Sequence, residues 1–178
     1  MDPGIDLQFP TPDDAPALVA AVRESLADLI PWMEWASEAY GFETARRWID
    51  AQQARRERNE AFEYLIKGPQ GEILGGCGIN RISAPPLRLA NIGYWVCSSV
   101  MGKGVATAAV LRLVDSAFRE TNLVRLEIVV SVGNRRSQRV AEKVGATYEG
   151  TMRSRLWTRG PQDALMYSLV RPVQDGQA

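Results

Sequence analysis

The chain has 178 residues with 21 basic and 21 acidic side chains, so charge gives no reason to expect nucleic acid or an anionic membrane as a partner. It contains no histidine, which excludes a Ser-His-Asp triad, a Cys-His pair and a histidine-ligated metal. Cys77 and Cys97 have neither a metal-binding nor a redox spacing, and no apolar run approaches the ~20 residues that span a bilayer. We therefore expect residues 1–178 to form a single cytoplasmic domain without a metal, with a core at about 5–171 and a flexible tail at 172–178.

The first half of the chain predicts one short strand, two helices and three further strands. The strands are β-prone runs bounded by Pro or Gly, at 5–9, 61–67, 72–82 and 88–97. The first helix begins at Thr11, a suitable cap before Pro12, and ends at Pro31. The second helix, over 43–58, interleaves arginines with acids, which favours a solvated surface over a nucleic-acid site.

The stretch 91–122 predicts a strand, a glycine turn and a long helix. The strand ends near Val96, and Gly102 and Gly104 lie in the turn. The helix has a broad apolar face at Val105, Ala109, Leu113 and Ala117. Because the first N–H groups of a helix have no partner and glycine lets an anion approach them, this order of elements suits a phosphate. The spacing fits neither a Walker A loop nor a dinucleotide fingerprint, and an ordinary strand-to-helix connection is the alternative.

The remainder of the chain predicts a strand at 125–132, a helix at 134–144 and strands at 147–157 and 164–170. Strands and helices therefore mix as an α/β sandwich and do not follow a regular βαβ repeat.

Four segments resemble motifs of the GNAT acyltransferases. Residues 101–106 (MGKGVA) resemble the pyrophosphate loop Gln/Arg-x-x-Gly-x-Gly/Ala, with Met101 where Gln or Arg is usual. Residues 134–146 resemble the second signature, Asn-x-x-Ser-x-x-Val-x-Glu-Lys-x-Gly-Phe. Residues 29–35 (LIPWMEW) and 149–153 (EGTMR) resemble the RimJ/RimL branch, which acetylates protein N-termini.

This resemblance implies an α/β protein with the GNAT (acyl-CoA N-acyltransferase) fold, a mixed sheet of six to seven strands flanked by helices. Two central parallel strands, ending at Val96 and Val132, are expected to splay apart and open a slot for acetyl-CoA as co-substrate. The residues implied to contact acetyl-CoA are the strand backbone at Trp95, Val96 and Cys97, the turn at Met101, Gly102, Lys103, Gly104, Val105 and Ala106, and the side chains of Asn134 and Ser137.

The resemblance also points to candidate catalytic residues. Many relatives carry a Tyr in the helix after the Asn as the acid that protonates the departing thiolate, but this chain has Ala141 there. Ser137 is the substitute acid, with a cofactor contact or a helix cap as its alternative roles. Glu34 and Glu127 are the candidate bases, and either is alternatively a surface or ion-paired carboxylate. Asn91 stands where relatives often carry Glu, and ordered water is a further alternative to a base.

The function implied is an acetyl-CoA-dependent N-acetyltransferase acting on a primary amine. A protein or peptide N-terminus of the ribosomal-protein type is favoured because Trp32 and Trp35 resemble a segment that lines the acceptor groove, core closure being their alternative role. The alternatives are a small-molecule amine such as a polyamine, an antibiotic or an amino acid, an acyl-CoA-binding sensor without catalysis, and a purely structural domain. An edge strand near the C-terminus permits a homodimer.

Overall fold

The computed structural model describes residues 3–172, so the predicted tail from residue 173 onward lies outside the described residues. Within this range the elements follow the order expected from the sequence. The strands are β1 (Asp6–Gln8), β2 (Ala61–Lys67), β3 (Ile73–Asn80), β4 (Leu89–Val96), β5 (Arg125–Ser131), β6 (Thr147–Trp157) and β7 (Pro161–Val170). The α-helices are α1 (Ala15–Glu24), α2 (Leu26–Leu29), α3 (Phe42–Glu57), α4 (Val105–Glu120) and α5 (Arg135–Lys143). None of the described helices has the length and apolar character needed to cross a membrane.

The helix predicted between Thr11 and Pro31 is divided at Ser25, which separates α1 from α2. The Ser25 hydroxyl donates to the Ala21 carbonyl at 2.8 Å, a local bond that competes with regular continuation of the helix. Its oxygen also accepts the backbone N–H of Ser98 at 3.1 Å. The prediction of one continuous helix was therefore wrong, because Ser25 instead connects the helix to the turn that follows β4.

The seven strands form one sheet in the order β1-β2-β3-β4-β5-β7-β6. Every neighbouring pair is antiparallel except β4 and β5, which are parallel. The parallel pairing comprises Leu89 with Arg125, Ala90 with Leu126 and Asn91 with Glu127. Beyond Asn91 and Glu127 the two strands diverge, and we call the gap between them the slot. The predicted mixed sheet with splayed central strands is confirmed.

An apolar layer covers each face of the sheet. The larger layer lies under α4 and α5 and includes the predicted helix face, every member of which is at most 4% exposed: Val105, Ala109, Leu113 and Ala117. The smaller layer lies under α1 to α3 and includes Leu18, Val22, Ile49 and Leu65. Burying each such Leu, Ile or Val contributes about 1.5–3 kcal/mol, which fixes the central strands against their helices.

Candidate active site

The slot exposes strand backbone that has no neighbouring strand. The Cys97 N–H donates to the Leu74 carbonyl at 2.8 Å, so the backbone N–H and C=O of Cys97 point towards β3. Because successive residues of a strand direct these groups to opposite sides, those of Trp95 also point to β3, and those of Tyr94 and Val96 point into the slot. Of the three strand residues predicted to offer backbone to acetyl-CoA, Val96 has this orientation, as does its neighbour Tyr94, whereas the backbone of Trp95 and Cys97 faces β3.

The glycine turn, residues 101–106, is an open loop at the start of α4. Gly102 and Gly104 have φ of 76° and 84°, in the left-handed region that favours glycine. A Cβ added at either position would meet no atom within 4 Å, so the space beside both glycines is open. Gly104 occupies the cap position of α4 and brings no side chain to the first N–H groups of that helix. These groups and the positive end of the helix dipole can therefore receive an anion.

The 3₁₀ turn Ser98–Val100, which precedes the glycine turn, is held by side chains from α1 and α2. Ser98 Oγ donates to Asp28 Oδ2 at 2.7 Å, and the Ser98 N–H donates to Ser25 Oγ at 3.1 Å. The Ser99 N–H donates to Glu24 Oε1, also at 3.1 Å. The helix break at Ser25 therefore contributes to positioning the candidate phosphate site.

Helix α5 begins at the far wall of the slot. Asn134 caps it, because Asn134 Oδ1 accepts the Ser137 N–H at 3.1 Å, and its amide nitrogen remains as a donor. Gln138 Nε2 donates to the carbonyls of Ser131 at 3.2 Å and Val132 at 2.9 Å. These bonds fix the first turn of α5, and with it Ser137, to the end of β5.

Tyr94 and Ser137 contact each other across the slot. The Tyr94 hydroxyl lies 2.9 Å from the Ser137 carbonyl oxygen and 2.8 Å from Ser137 Oγ. Because a carbonyl only accepts, Tyr94 is a donor in this contact, and Ser137 can direct its own hydrogen to Tyr94 or into the slot. Burial raises the pKa of Tyr94 to about 12, so the phenol is protonated at neutral pH. Ala141 is fully buried in the core, and the phenol beside Ser137 therefore comes from β4 and not from α5.

The tryptophan loop, residues 30–41, crosses the slot on the face opposite α4. Trp35 packs edge-on against Trp95 of β4, with ring centroids 6.0 Å apart. Trp32 lies over the end of β5, where a Cβ on Gly133 would be 3.3 Å from Trp32 Cη2. Glu34, between the two tryptophans, is exposed. Both predicted acceptor-side tryptophans therefore lie at the slot, one beside each diverging strand.

Glu127 lies at the closed end of the slot in an ion-paired cluster. Arg125 Nε is 2.8 Å from Glu127 Oε1, and Arg125 also holds Glu149 through both guanidinium nitrogens. Ser168 Oγ donates to Glu149 Oε1 at 2.6 Å. The hydrogen bonds from Arg125 and then Ser168 lower the pKa of Glu149 to about 2. Glu127 is thus an ion-paired carboxylate, which is the alternative role stated for it above. One of its two oxygens, Oε1, is engaged by Arg125.

This cluster predicts acid-sensitive stability. A carboxyl group whose pKa is lower in the folded than in the unfolded chain stabilises the fold at any pH above its unfolded-state pKa. This contribution is lost as the pH falls through the folded-state pKa. We expect the free energy of unfolding to decrease between pH 4.5 and about 2, and Glu149→Gln to flatten this decrease. Denaturant titrations at pH 5 and pH 3 would measure it, with Glu38→Gln as the exposed control. Parallel acid dependence in wild type and Glu149→Gln would contradict the assignment.

A second polar row, which the sequence did not predict, approaches the closed end of the slot from β2. Glu63 Oε1 accepts from Asn80 Nδ2 at 3.1 Å, and Asn80 Oδ1 accepts from Asn91 Nδ2 at 3.1 Å. Burial raises the pKa of Glu63, and the Asn80 hydrogen bond offsets this only in part. Because a carboxylate only accepts hydrogen bonds, Glu63 fixes the orientation of the Asn80 side-chain amide, which in turn fixes that of Asn91. Asn91 Oδ1 is then left as an acceptor at the last position where β4 pairs with β5.

Comparisons with known proteins agree with the fold. The family sequence model described as "Acetyltransferase (GNAT) domain" matches residues 5–147. The putative ribosomal N-acetyltransferase YdaF of Bacillus subtilis (strain 168) is 30% identical over 97% of this chain and 94% of its own length. The microcin C7 self immunity acetyltransferase MccE, solved with acetyl-CoA and AMP, has a TM-score of 0.88 at 25% identity, covering 94% of this chain and 93% of that chain. RimL, a ribosomal L7/L12 α-N-protein acetyltransferase solved with coenzyme A, has a TM-score of 0.86 at 27% identity, covering 94% of each chain.

Proposed function

Since the chain belongs to the GNAT acetyltransferase family, we propose that it transfers the acetyl group of acetyl-CoA to the α-amino group of a protein or peptide N-terminus. Membership of this family makes the chain an acyltransferase. A ribosomal protein is the favoured acceptor because YdaF and RimL are both named for ribosomal-protein acetylation. We place the reaction in the cytoplasm, in keeping with the two free, buried cysteines. Strand β6 is an edge of the sheet, which permits a homodimer.

In this proposal acetyl-CoA occupies the slot and supplies the acetyl thioester. The unpaired backbone of Tyr94 and Val96 can hydrogen-bond the pantetheine amides as a neighbouring strand would. The glycine turn and the first N–H groups of α4 suit the diphosphate, because the space beside both glycines is open and no side chain caps the helix. The Asn134 amide nitrogen is the remaining donor for the pantetheine chain.

Ser137 is the donor for the departing sulfur in this proposal. Transfer forms a bond from the amine nitrogen to the acetyl carbon and breaks the bond from that carbon to sulfur, where negative charge develops. The proton that the nitrogen loses passes through water to the sulfur, which leaves as the coenzyme A thiol. The Ser137 hydroxyl stabilises this charge by a hydrogen bond when its hydrogen points into the slot. The Tyr94 hydroxyl oxygen lies 2.8 Å from Ser137 Oγ, and the Ser137 hydrogen is free to point into the slot when Tyr94 directs its single hydrogen to Ser137 Oγ and not to the Ser137 carbonyl.

The acceptor amine is aligned by Asn91 Oδ1, whose direction is set by Asn80 and Glu63. We favour an α-amino group as the acceptor because of the surroundings of the two candidate bases. Glu127 is held by Arg125, and Glu34 is exposed in the tryptophan loop. With one candidate base ion-paired and the other exposed to solvent, the site suits an amine that is already partly neutral: at about pH 7.5 roughly a third of α-amino groups are neutral, against about one in a thousand lysine side chains.

A peptide competition tests this function. We would incubate the protein and acetyl-CoA with a peptide that has a free N-terminus and an internal lysine, and map the acetylated nitrogen by mass spectrometry. We expect acetylation of the α-amino group and none of the lysine in a matched peptide with a blocked N-terminus. The rate should level off above about pH 8, as the α-amino group becomes neutral. Faster transfer to lysine would contradict the proposal.

A small-molecule amine is the second candidate, because MccE, whose TM-score of 0.88 is close to the 0.86 of RimL, was solved with AMP. Spermidine, free amino acids and aminoacyl nucleotides would extend the competition above. Transfer to one of these in preference to the peptide would favour this candidate. Binding of acetyl-CoA without transfer to any amine would favour a sensor.

A further inference from the structure

We infer that Arg136 binds the diphosphate of acetyl-CoA and replaces the side chain that is missing at Met101. This inference rests on the proposed binding of acetyl-CoA in the slot. Met101 opens the glycine turn at the position where the family motif has Gln or Arg, and its thioether brings neither a charge nor a hydrogen-bond donor. Arg136 Nη1 lies 3.0 Å from Met101 Sδ, so a guanidinium from α5 stands directly beside the position that lacks one.

Arg136 reaches that position across the slot. It belongs to the first turn of α5, on the β5 side, whereas Met101 follows β4. Its Nη1 also lies 2.8 Å from Asp28 Oδ1 in α2. An acyl-CoA chain that runs from the slot to the glycine turn therefore passes this guanidinium. Arginine suits the contact because its planar donor group binds two phosphate oxygens at once.

The pairing of Arg136 with Asp28 does not prevent this role. The Arg136 side chain is 74% exposed, and an exposed ion pair stabilises little, so exchange of a carboxylate for a diphosphate costs little. Asp28 keeps its hydrogen bond from Ser98 Oγ at 2.7 Å when Arg136 leaves. The pair therefore holds the guanidinium close to the glycine turn while no diphosphate is bound.

Two other cations are near the site by sequence. Arg135 donates to Gln138 Oε1 at 3.1 Å and so stabilises the link between α5 and β5. Lys103 is exposed within the glycine turn itself, and it is the competing candidate for the diphosphate. Arg136 is favoured over Lys103 because its guanidinium already lies beside Met101, where the family motif has its Gln or Arg, and can bind two phosphate oxygens at once.

Calorimetric titration with two ligands tests the inference. Coenzyme A carries the diphosphate, and pantetheine has the same thiol arm without it. We expect Arg136→Ala to weaken coenzyme A binding about tenfold and to leave pantetheine binding unchanged, since a hydrogen-bonded charge pair is lost only for the former. Arg119→Ala, which removes an exposed, ion-paired arginine at the far end of α4, is the matched control and should change neither affinity.

A second variant provides a rescue. Met101→Arg, added to Arg136→Ala, places a guanidinium at the usual family position and should restore most of the affinity for coenzyme A. Unchanged coenzyme A affinity in Arg136→Ala would overturn the inference, as would an equal loss for both ligands or a tenfold loss in Lys103→Ala alone. Wild-type protein that binds no coenzyme A would overturn the proposed function together with this inference.

Discussion

Replacing Gly104 with Asp should weaken the affinity for coenzyme A by at least about tenfold while the fold is retained. Gly104 caps α4, and a Cβ there would point into free space where the proposal puts the diphosphate. An Asp side chain would fill that space and bring a negative charge against a negative ligand. Isothermal calorimetry would measure the affinity, and circular dichroism would check the fold.

The matched control is Gly145→Asp. Gly145 has a φ of 80°, close to the 84° of Gly104, and its Cβ would likewise meet no atom within 4 Å. It lies just after the carboxyl end of α5, away from the slot. Both substitutions therefore carry a similar backbone strain, of about 1–2 kcal/mol, and only Gly104→Asp should affect coenzyme A. Equal losses of affinity in the two variants would show that strain, and not a phosphate site, is responsible.

Replacing Ser137 with Ala should lower kcat about a hundredfold with little change in coenzyme A affinity. The physical reason is that the variant removes one preorganised donor to the developing charge on sulfur, and loss of such a donor typically has an effect of this size. Tyr94→Phe should have a smaller effect, about tenfold, because Tyr94 acts through the orientation of Ser137. The double variant should lose no more than Ser137→Ala alone, because the two groups act as a unit.

Steady-state kinetics and calorimetry together separate the roles of Ser137. A drop in kcat at unchanged coenzyme A affinity supports the sulfur contact. A weakened affinity at unchanged kcat would instead make Ser137 a cofactor-binding residue only, the alternative left open by the sequence. Ser116→Ala, on α4 beyond the glycine turn, is the control and should change neither quantity.

The sequence predicted the parts of the site that depend on neighbours along the chain. The apolar face of α4 follows from residues three and four apart, and the glycine turn follows from Gly102 and Gly104 directly before that face. The splayed strands came from the family resemblance, and the β4 to β5 pairing, which ends at Asn91, confirms them.

The remaining contacts join residues far apart in sequence. Tyr94 and Ser137 are 43 positions apart, and Met101 and Arg136 are 35 apart, so no local periodicity brings them together. The sequence showed that Ala141 and Met101 depart from the family motifs. Only the fold reveals which other side chains lie close to the places where the usual Tyr and the usual Gln or Arg are missing. The direction in which the backbone of Trp95 and Cys97 points has a related cause: it depends on the register with β3, which the sequence of β4 does not contain.

The central claim is that the slot between β4 and β5 binds acetyl-CoA, and a calorimetric titration of the purified protein with acetyl-CoA tests it most directly. The account predicts saturable binding with one molecule per chain. Absence of binding to acetyl-CoA, to free coenzyme A and to longer acyl-CoA molecules would contradict it.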